Sequence, residues 1–255
     1  TADNNTAVGM SALLANTTGD RNVAVGTSAL LQTTTGQNNT AVGYEAGCKT
    51  LDSVGNSAFG YEALQNNTTG DSNTAVGYRA ACANSTASGT TAVGTYSLKA
   101  NTTGASNVAV GYYSLLTNTT GASNTAVGHE SLYANTTASS NTAVGKSALV
   151  ANTTGANNTA VGTCAMKSNT TGTANIAIGL DALCTNTDTN ENVAIGNYAL
   201  KSNDNTNTVG IGFKALCANT TGSNNTAVGT NSLDGNTTAS NNTAFGKSSL
   251  GTNTT

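Results

Sequence analysis

The chain has 255 residues, of which only 8% are charged and 4% aromatic, with 29 glycines and neither Trp nor Pro. That composition excludes an ordinary globular core, which fills its volume with aromatics and large aliphatics. The formal net charge is −3 with nine scattered basic residues, which speaks against nucleic acid as a partner. No run of about 20 apolar residues is available to cross a membrane within this segment.

From the first residues onward the chain repeats. The tetrad Thr6-Ala7-Val8-Gly9 returns as Val23-Ala24-Val25-Gly26, Thr40-Ala41-Val42-Gly43 and Ser57-Ala58-Phe59-Gly60, a step of 17 residues. The step holds to Val193-Ala194-Ile195-Gly196, loses one residue near Asn207, and resumes at Val209, Thr226 and Thr243. Fifteen copies are present, with the consensus T/V-A-V-G-x-x-A/S-L-x-x-N-T-T-G-x-x-N. Numbering the coil from that first Thr or Val, Gly stands at position four in every copy, including Gly43, Gly77, Gly111, Gly145 and Gly179. Position two is Ala except at Gly210, and position eight is Leu except at Gly47, Ala81 and Met166.

Strict periodicity with a unit this short predicts a solenoid, each coil stacking on identical neighbours. Paired-helix repeats need roughly 30 or more residues per unit, and a glycine at position four leaves no amphipathic helix of useful length. The expected architecture is therefore all-β: a parallel β-solenoid, or β-roll, of about fifteen coils with two short strands each. Residues 1–255 are read as one continuous solenoid region excerpted from a longer chain. Alternation along the first strand puts positions one and three on one face and Ala and Gly on the other. Val at three and Leu at eight (Val110, Leu115, Val144, Leu149) are the candidates for the inner apolar file. Gly at four suits either a corner closed to other residues or a close backbone approach. Asn at eleven and seventeen suits left-handed turns or amide ladders along the stack. One coil carries little aliphatic surface, and an Ala/Gly face free of bulk would let a second copy approach, so a homo-oligomer is expected.

The segments Asn107-Val108-Ala109-Val110-Gly111, Asn175-Ile176-Ala177-Ile178-Gly179 and Asn192-Val193-Ala194-Ile195-Gly196 resemble the N-x-A-V/I-G-x-x-A/S signature of YadA-like heads in trimeric autotransporter adhesins. The style of repeat is also similar to that of bacteriophage tail fibres and related surface fibres. The resemblance implies a trimer of left-handed β-rolls that carries no active site and binds extracellular ligands or host surfaces. It covers about half of each coil, and the N-T-T-G-x-x segment departs from it.

No residue set points to catalysis, a cofactor or a metal. His129 is the only histidine, at the variable fifth position beside Glu130, without the partners that a catalytic or ligating histidine needs. Cys48, Cys82, Cys184 and Cys217 share position nine and Cys164 holds position six. Cysteines two coils apart would be separated by about 9.5 Å, beyond disulfide reach, so free thiols are expected. The recurrent N-x-T sequons, such as Asn16, Asn101 and Asn152, read as corner residues or as glycosylation acceptors. Positions five, six, nine and ten carry most of the charge and tyrosines, and they should face outward. Tyr61, Tyr78, Tyr112, Tyr113 and Tyr133 are the candidate recognition residues, for a cell-surface or glycan ligand. The expected role is a non-enzymatic structural fibre or adhesin segment, located extracellularly or at a cell or virion surface. The alternative is an ice-binding β-solenoid using its Thr files.

Overall fold

The structure, a computed structural model, describes residues 2–254. These fall into two compact units, the first ending at Asn124 and the second beginning at Thr125. The first unit contains β1 (Thr6–Val8), β2 (Val23–Val25), β3 (Thr40–Val42), β4 (Ser57–Phe59), β5 (Thr74–Val76), β6 (Thr91–Val93) and β7 (Val108–Val110). The second contains β8 (Thr125–Val127), β9 (Thr142–Val144), β10 (Thr159–Val161), β11 (Ile176–Ile178), β12 (Val193–Ile195), β13 (Val209–Ile211), β14 (Thr226–Val228) and β15 (Thr243–Phe245). Within each unit successive strands pair parallel and in chain order, each residue opposite its equivalent one coil on, as Ala75 opposite Ala92 and Ala143 opposite Ala160. The chain is thus an all-β parallel β-solenoid.

Each coil carries one strand of three residues, not the two expected. The A-L-x-x-N-T segment forms consecutive turns because the backbone alternates there. Positions six and eight both have positive φ, as at Glu62 (51°) and Leu64 (52°). Alternation sends successive amides in opposite directions along the stack. Glu62 N–H donates to the Tyr44 carbonyl of the preceding coil (2.9 Å), and Leu64 N–H to the Ala80 carbonyl of the next (3.0 Å). The segment therefore satisfies its backbone between coils without being a strand. A leucine at such a φ is strained, but every non-terminal Leu at position eight is fully buried, which offsets the cost.

The inner file also differs from expectation. Ala at position two is buried throughout the interior coils, with Ala109 and Ala143 at 0% exposure, whereas Val110 and Val144 at position three are only half-buried. Leu115 and Leu149 are inside, as expected. The alternation had its two faces assigned the wrong way round. Coil width decides the orientation: a Cβ added at Gly210, the one glycine at position two, would lie 2.9 Å from Cγ of Leu200. At that coil not even a methyl group has room beside the leucine, and in the other interior coils the alanine methyl is already fully buried, which leaves no space for a valine. It follows that the Ala face is the coil interior and no surface for a second copy.

Both roles anticipated for Gly at position four hold together. Gly77 has φ +131°, and a Cβ there would sit 2.7 Å from the carbonyl oxygen of Gly94 in the next coil. The asparagines act as ladders; the left-handed residues are instead those at six, eight and sixteen. At position eleven, Asn101 Nδ2 donates to Asn84 Oδ1 (3.0 Å) and to the Gly104 carbonyl (3.0 Å). At position seventeen, Asn56 Oδ1 accepts from the Asn73 amide (2.9 Å) while Asn73 Nδ2 donates to the Ala87 carbonyl (2.9 Å). The coil that loses a residue keeps its strand register, Val193 opposite Val209. Its corner absorbs the deletion, Asn203 Nδ2 capping the Asn205 carbonyl two residues on instead of three (2.8 Å).

Two variants of one coil test the inside and outside faces. Leu149→Ala is expected to cost about 2–5 kcal/mol, whereas Val144→Thr, which copies the neighbouring outward file, should stay within about 0.5 kcal/mol; denaturant titration measures both. The position-eleven ladder is interrupted by Thr33 and Thr50, whose buried hydroxyls have no partner. Thr33→Asn should restore bonds to Asn16 and to the Gly36 carbonyl and stabilise the protein by about 1 kcal/mol, read as a raised melting temperature.

Candidate functional site

Stacking converts equal positions in successive coils into columns, about 4.8 Å apart. At position five this brings three tyrosines of the first unit face to face. Tyr44 and Tyr61 have ring centroids 5.2 Å apart, and Tyr61 and Tyr78 5.1 Å, with planes within 10° in both pairs. The next coil has Thr95 at position five and a tyrosine one residue later, so the column steps sideways. Tyr96 meets Tyr78 edge-on at 5.2 Å and stacks on Tyr113 at 5.6 Å. Tyr113 in turn lies 3.9 Å from Tyr112 at a tilt of 35°. Six tyrosines over five coils form one ladder.

Charged residues of the same columns border it. Tyr44 donates to Glu45 and Tyr61 to Glu62, and these hydrogen bonds are the main reason both phenols ionise above their ordinary range. Tyr78 and Tyr113 are raised likewise, by hydrogen bonds to Tyr96 and Tyr112 respectively. Glu62 is nearly buried and pairs with Arg79, Nε to Oε2 at 2.5 Å, and this contact holds its carboxyl below the usual range. Gln65 donates from Nε2 to Glu45. The Arg79 guanidinium stands 5.8 Å from the Tyr78 ring and the Lys99 ammonium 4.8 Å from that of Tyr96. Tyr44, Tyr61, Tyr78 and Tyr112 are each more than 40% exposed. Because the rings cover one another's faces, the ladder offers solvent its ring edges and a row of phenol oxygens.

Of the five tyrosines singled out from sequence, Tyr61, Tyr78, Tyr112 and Tyr113 come together. Tyr133 stands at position nine, in the second unit. Tyr44 and Tyr96 complete the ladder, and Glu45, Glu62, Arg79 and Lys99 flank it. The 17-residue step between Tyr44, Tyr61 and Tyr78 was the signal that could have identified the column. The second unit has a smaller counterpart, Tyr198 edge-on to Phe213 at 6.1 Å, with Lys201 and Lys214 over the two rings.

The remaining candidates find structural places. All five cysteines are free, and burial pushes the thiols of Cys48, Cys82, Cys184 and Cys217 up. His129 Nδ1 lies 3.5 Å from a Glu130 carboxylate oxygen. The sequon asparagines Asn101 and Asn152 are fully buried, with Nδ2 held in the ladder, so the folded coil closes them to glycosylation. Position-twelve hydroxyls bond the next coil's carbonyl, as Thr102 to Thr119 (3.0 Å). Thr at position one and Val at position three instead share the outward sheet face. Among the described residues there is no cavity, no group of three metal-ligating side chains, and no helix long and apolar enough to cross a membrane.

The ladder's ionisations predict opposite slopes at the two ends of the pH scale. Glu62 stabilises the fold above its unfolded pKa of about 4.3, and loses that contribution as pH falls through its lower folded value. The raised phenols stabilise it below their unfolded pKa of about 10, and lose the contribution as pH rises through the folded values. A melting-temperature profile should therefore fall at both ends, with Glu62→Gln flattening the acid limb and Tyr61→Phe softening the alkaline one. Comparison with known proteins finds no protein-family model and no curated protein that matches this chain.

Proposed function

We propose that the chain is a non-enzymatic segment of an extracellular fibre or adhesin, displayed at a cell or virion surface, that meets its ligand along the tyrosine ladder. The ladder itself is the observation that carries this reading. Tyrosine supplies large amphipathic contact area at low entropic cost, and here six of them are held by mutual stacking on a backbone bonded from coil to coil. A scaffold already ordered spares a ligand the cost of ordering it. The phenol row and the flanking Glu45, Glu62, Arg79 and Lys99 suit a polar partner such as a surface glycan. The similarity to YadA-like heads and tail fibres adds assembly into a homo-oligomer, a trimer or a lateral array. With the Ala face inside the coil, the contact between copies falls to the Thr/Val sheet face, whose Val76, Ile176 and Ile178 are more than a third exposed.

Binding to whole-cell surfaces and glycan arrays tests the ligand stripe: Tyr61→Ser with Tyr78→Ser should weaken binding by tenfold or more, about 1.4 kcal/mol, and unchanged binding overturns the assignment. Sedimentation tests the assembly separately, with a trimer expected for the wild type and monomers for the combined Val76→Lys, Val93→Lys and Val110→Lys variant.

One observation favours a second reading, ice binding. Thr and Val of each strand face outward two residues apart and repeat every coil, a flat array of hydroxyl and methyl groups free of charge in β5–β7. Thermal hysteresis that disappears in the same lysine variant supports ice binding and not adhesion; no hysteresis in the wild type sets it aside.

A further inference from the structure

We propose that the tyrosine ladder is an oxidative crosslinking site, at which dityrosine bonds staple neighbouring coils of the first unit together. The proposal stands on ring geometry and does not depend on which ligand, if any, the stripe recognises.

Two phenols couple only when both are oxidised and the rings can touch. Here Tyr44, Tyr61 and Tyr78 stand in one file at centroid spacings of 5.2 and 5.1 Å with nearly parallel planes. Tyr96 and Tyr113 continue at 5.6 Å, and Tyr112 and Tyr113 at 3.9 Å. The stack has already met the entropic cost of bringing the rings together. Their outer edges are exposed, so a diffusing oxidant reaches them and the side chains can make the small rotation that joins ortho carbons.

The oxidant is a one-electron acceptor of the kind produced at peroxidase haems, used twice per bond. Each phenol gives up one electron and its hydroxyl proton. The two phenoxyl radicals join through one ortho carbon of each ring, and each displaced ortho hydrogen moves to its own ring oxygen. Two phenols become one biphenol, with two electrons passed to the oxidant and two protons released.

A bond from Tyr44 to Tyr61 or from Tyr61 to Tyr78 closes a 17-residue loop, and by restricting the unfolded chain it stabilises the fold as a disulfide does. The covalent link follows the axis along which the hydrogen bonds already run. Competing sinks are few: the chain has no Trp, and the thiols of the same coils, Cys48 and Cys82, are buried or half-buried and held protonated.

Photogenerated ruthenium(III) with persulfate, applied to dilute full chain, tests the proposal by dityrosine fluorescence and crosslink mapping by mass spectrometry. The expected result is intrachain product mapped to Tyr44–Tyr61, Tyr61–Tyr78 and Tyr112–Tyr113, with a higher melting temperature after oxidation. Tyr61→Phe should abolish the first two links and the thermal gain while sparing the third. A Cys48→Ala, Cys82→Ala variant, run in parallel, removes the nearest thiols as competitors. The proposal is overturned if that variant forms no dityrosine, if Tyr198 crosslinks as often as the ladder, or if denatured chain gives the same products in the same yield.

Discussion

A buried carboxamide must place two N–H donors and a carbonyl oxygen, and leaving any of them unmet costs about 1–3 kcal/mol. Most interior coils bury two such groups, at positions eleven and seventeen, and meet the demand partly at their own corner and partly with the coil before or after. Asn118 reaches Asn101, which reaches Asn84, which reaches Asn67. In the second unit Asn186, Asn169, Asn152 and Asn135 do the same. A coil of different length or rotation would leave amides on both sides unpaired. This requirement accounts for the constancy of the 17-residue period and for the repair made at Asn203, where a shortened corner still delivers an amide oxygen to Asn219 (2.6 Å).

The ladders also make the unusual backbone intelligible. With two amide columns and, in most coils, a leucine inside, little interior is left for the strand, which contributes only an alanine methyl. The chain must then pass from position five to position ten in very few residues, and positive φ at six and eight accomplishes this. Those residues would be strained singly. Repeated in register, they let each amide find a carbonyl in an adjacent coil, so the strain is spread over a cooperative lattice of hydrogen bonds.

Everything variable is consequently pushed to the outside. Positions five, six and nine face away from the ladders and tolerate Met10, Thr27, Tyr44 or His129 without disturbing the stack. Yet the period still acts on them, because any residue repeated at 17-residue intervals meets its own kind. Stacked tyrosines, their carboxylate acceptors and the paired Glu62 and Arg79 are products of that enforced alignment. The chemical character of the first unit's surface thus arises from residues that contribute little to the fold.

The sequence alone determined the period, the parallel stacking of coils, the burial of Leu115 and Leu149, the constraint at Gly77 and its equivalents, and the outward placement of the tyrosines, because each of these follows from repetition or from a residue's intrinsic conformational range. Which side of the strand faces inward was settled only in three dimensions. Alternation states that Ala109 and Val110 point opposite ways, but the choice between them depends on the width left beside Leu115 and the amide ladders, a quantity no local pattern contains. The same holds for the second strand that did not form, since the alternating turn is stable only with a carbonyl waiting in the next coil. Tyr44, Tyr61 and Tyr78 look like three separate exposed tyrosines in the sequence; the tertiary structure stacks them, because contact depends on sharing a column along the stack and not on exposure.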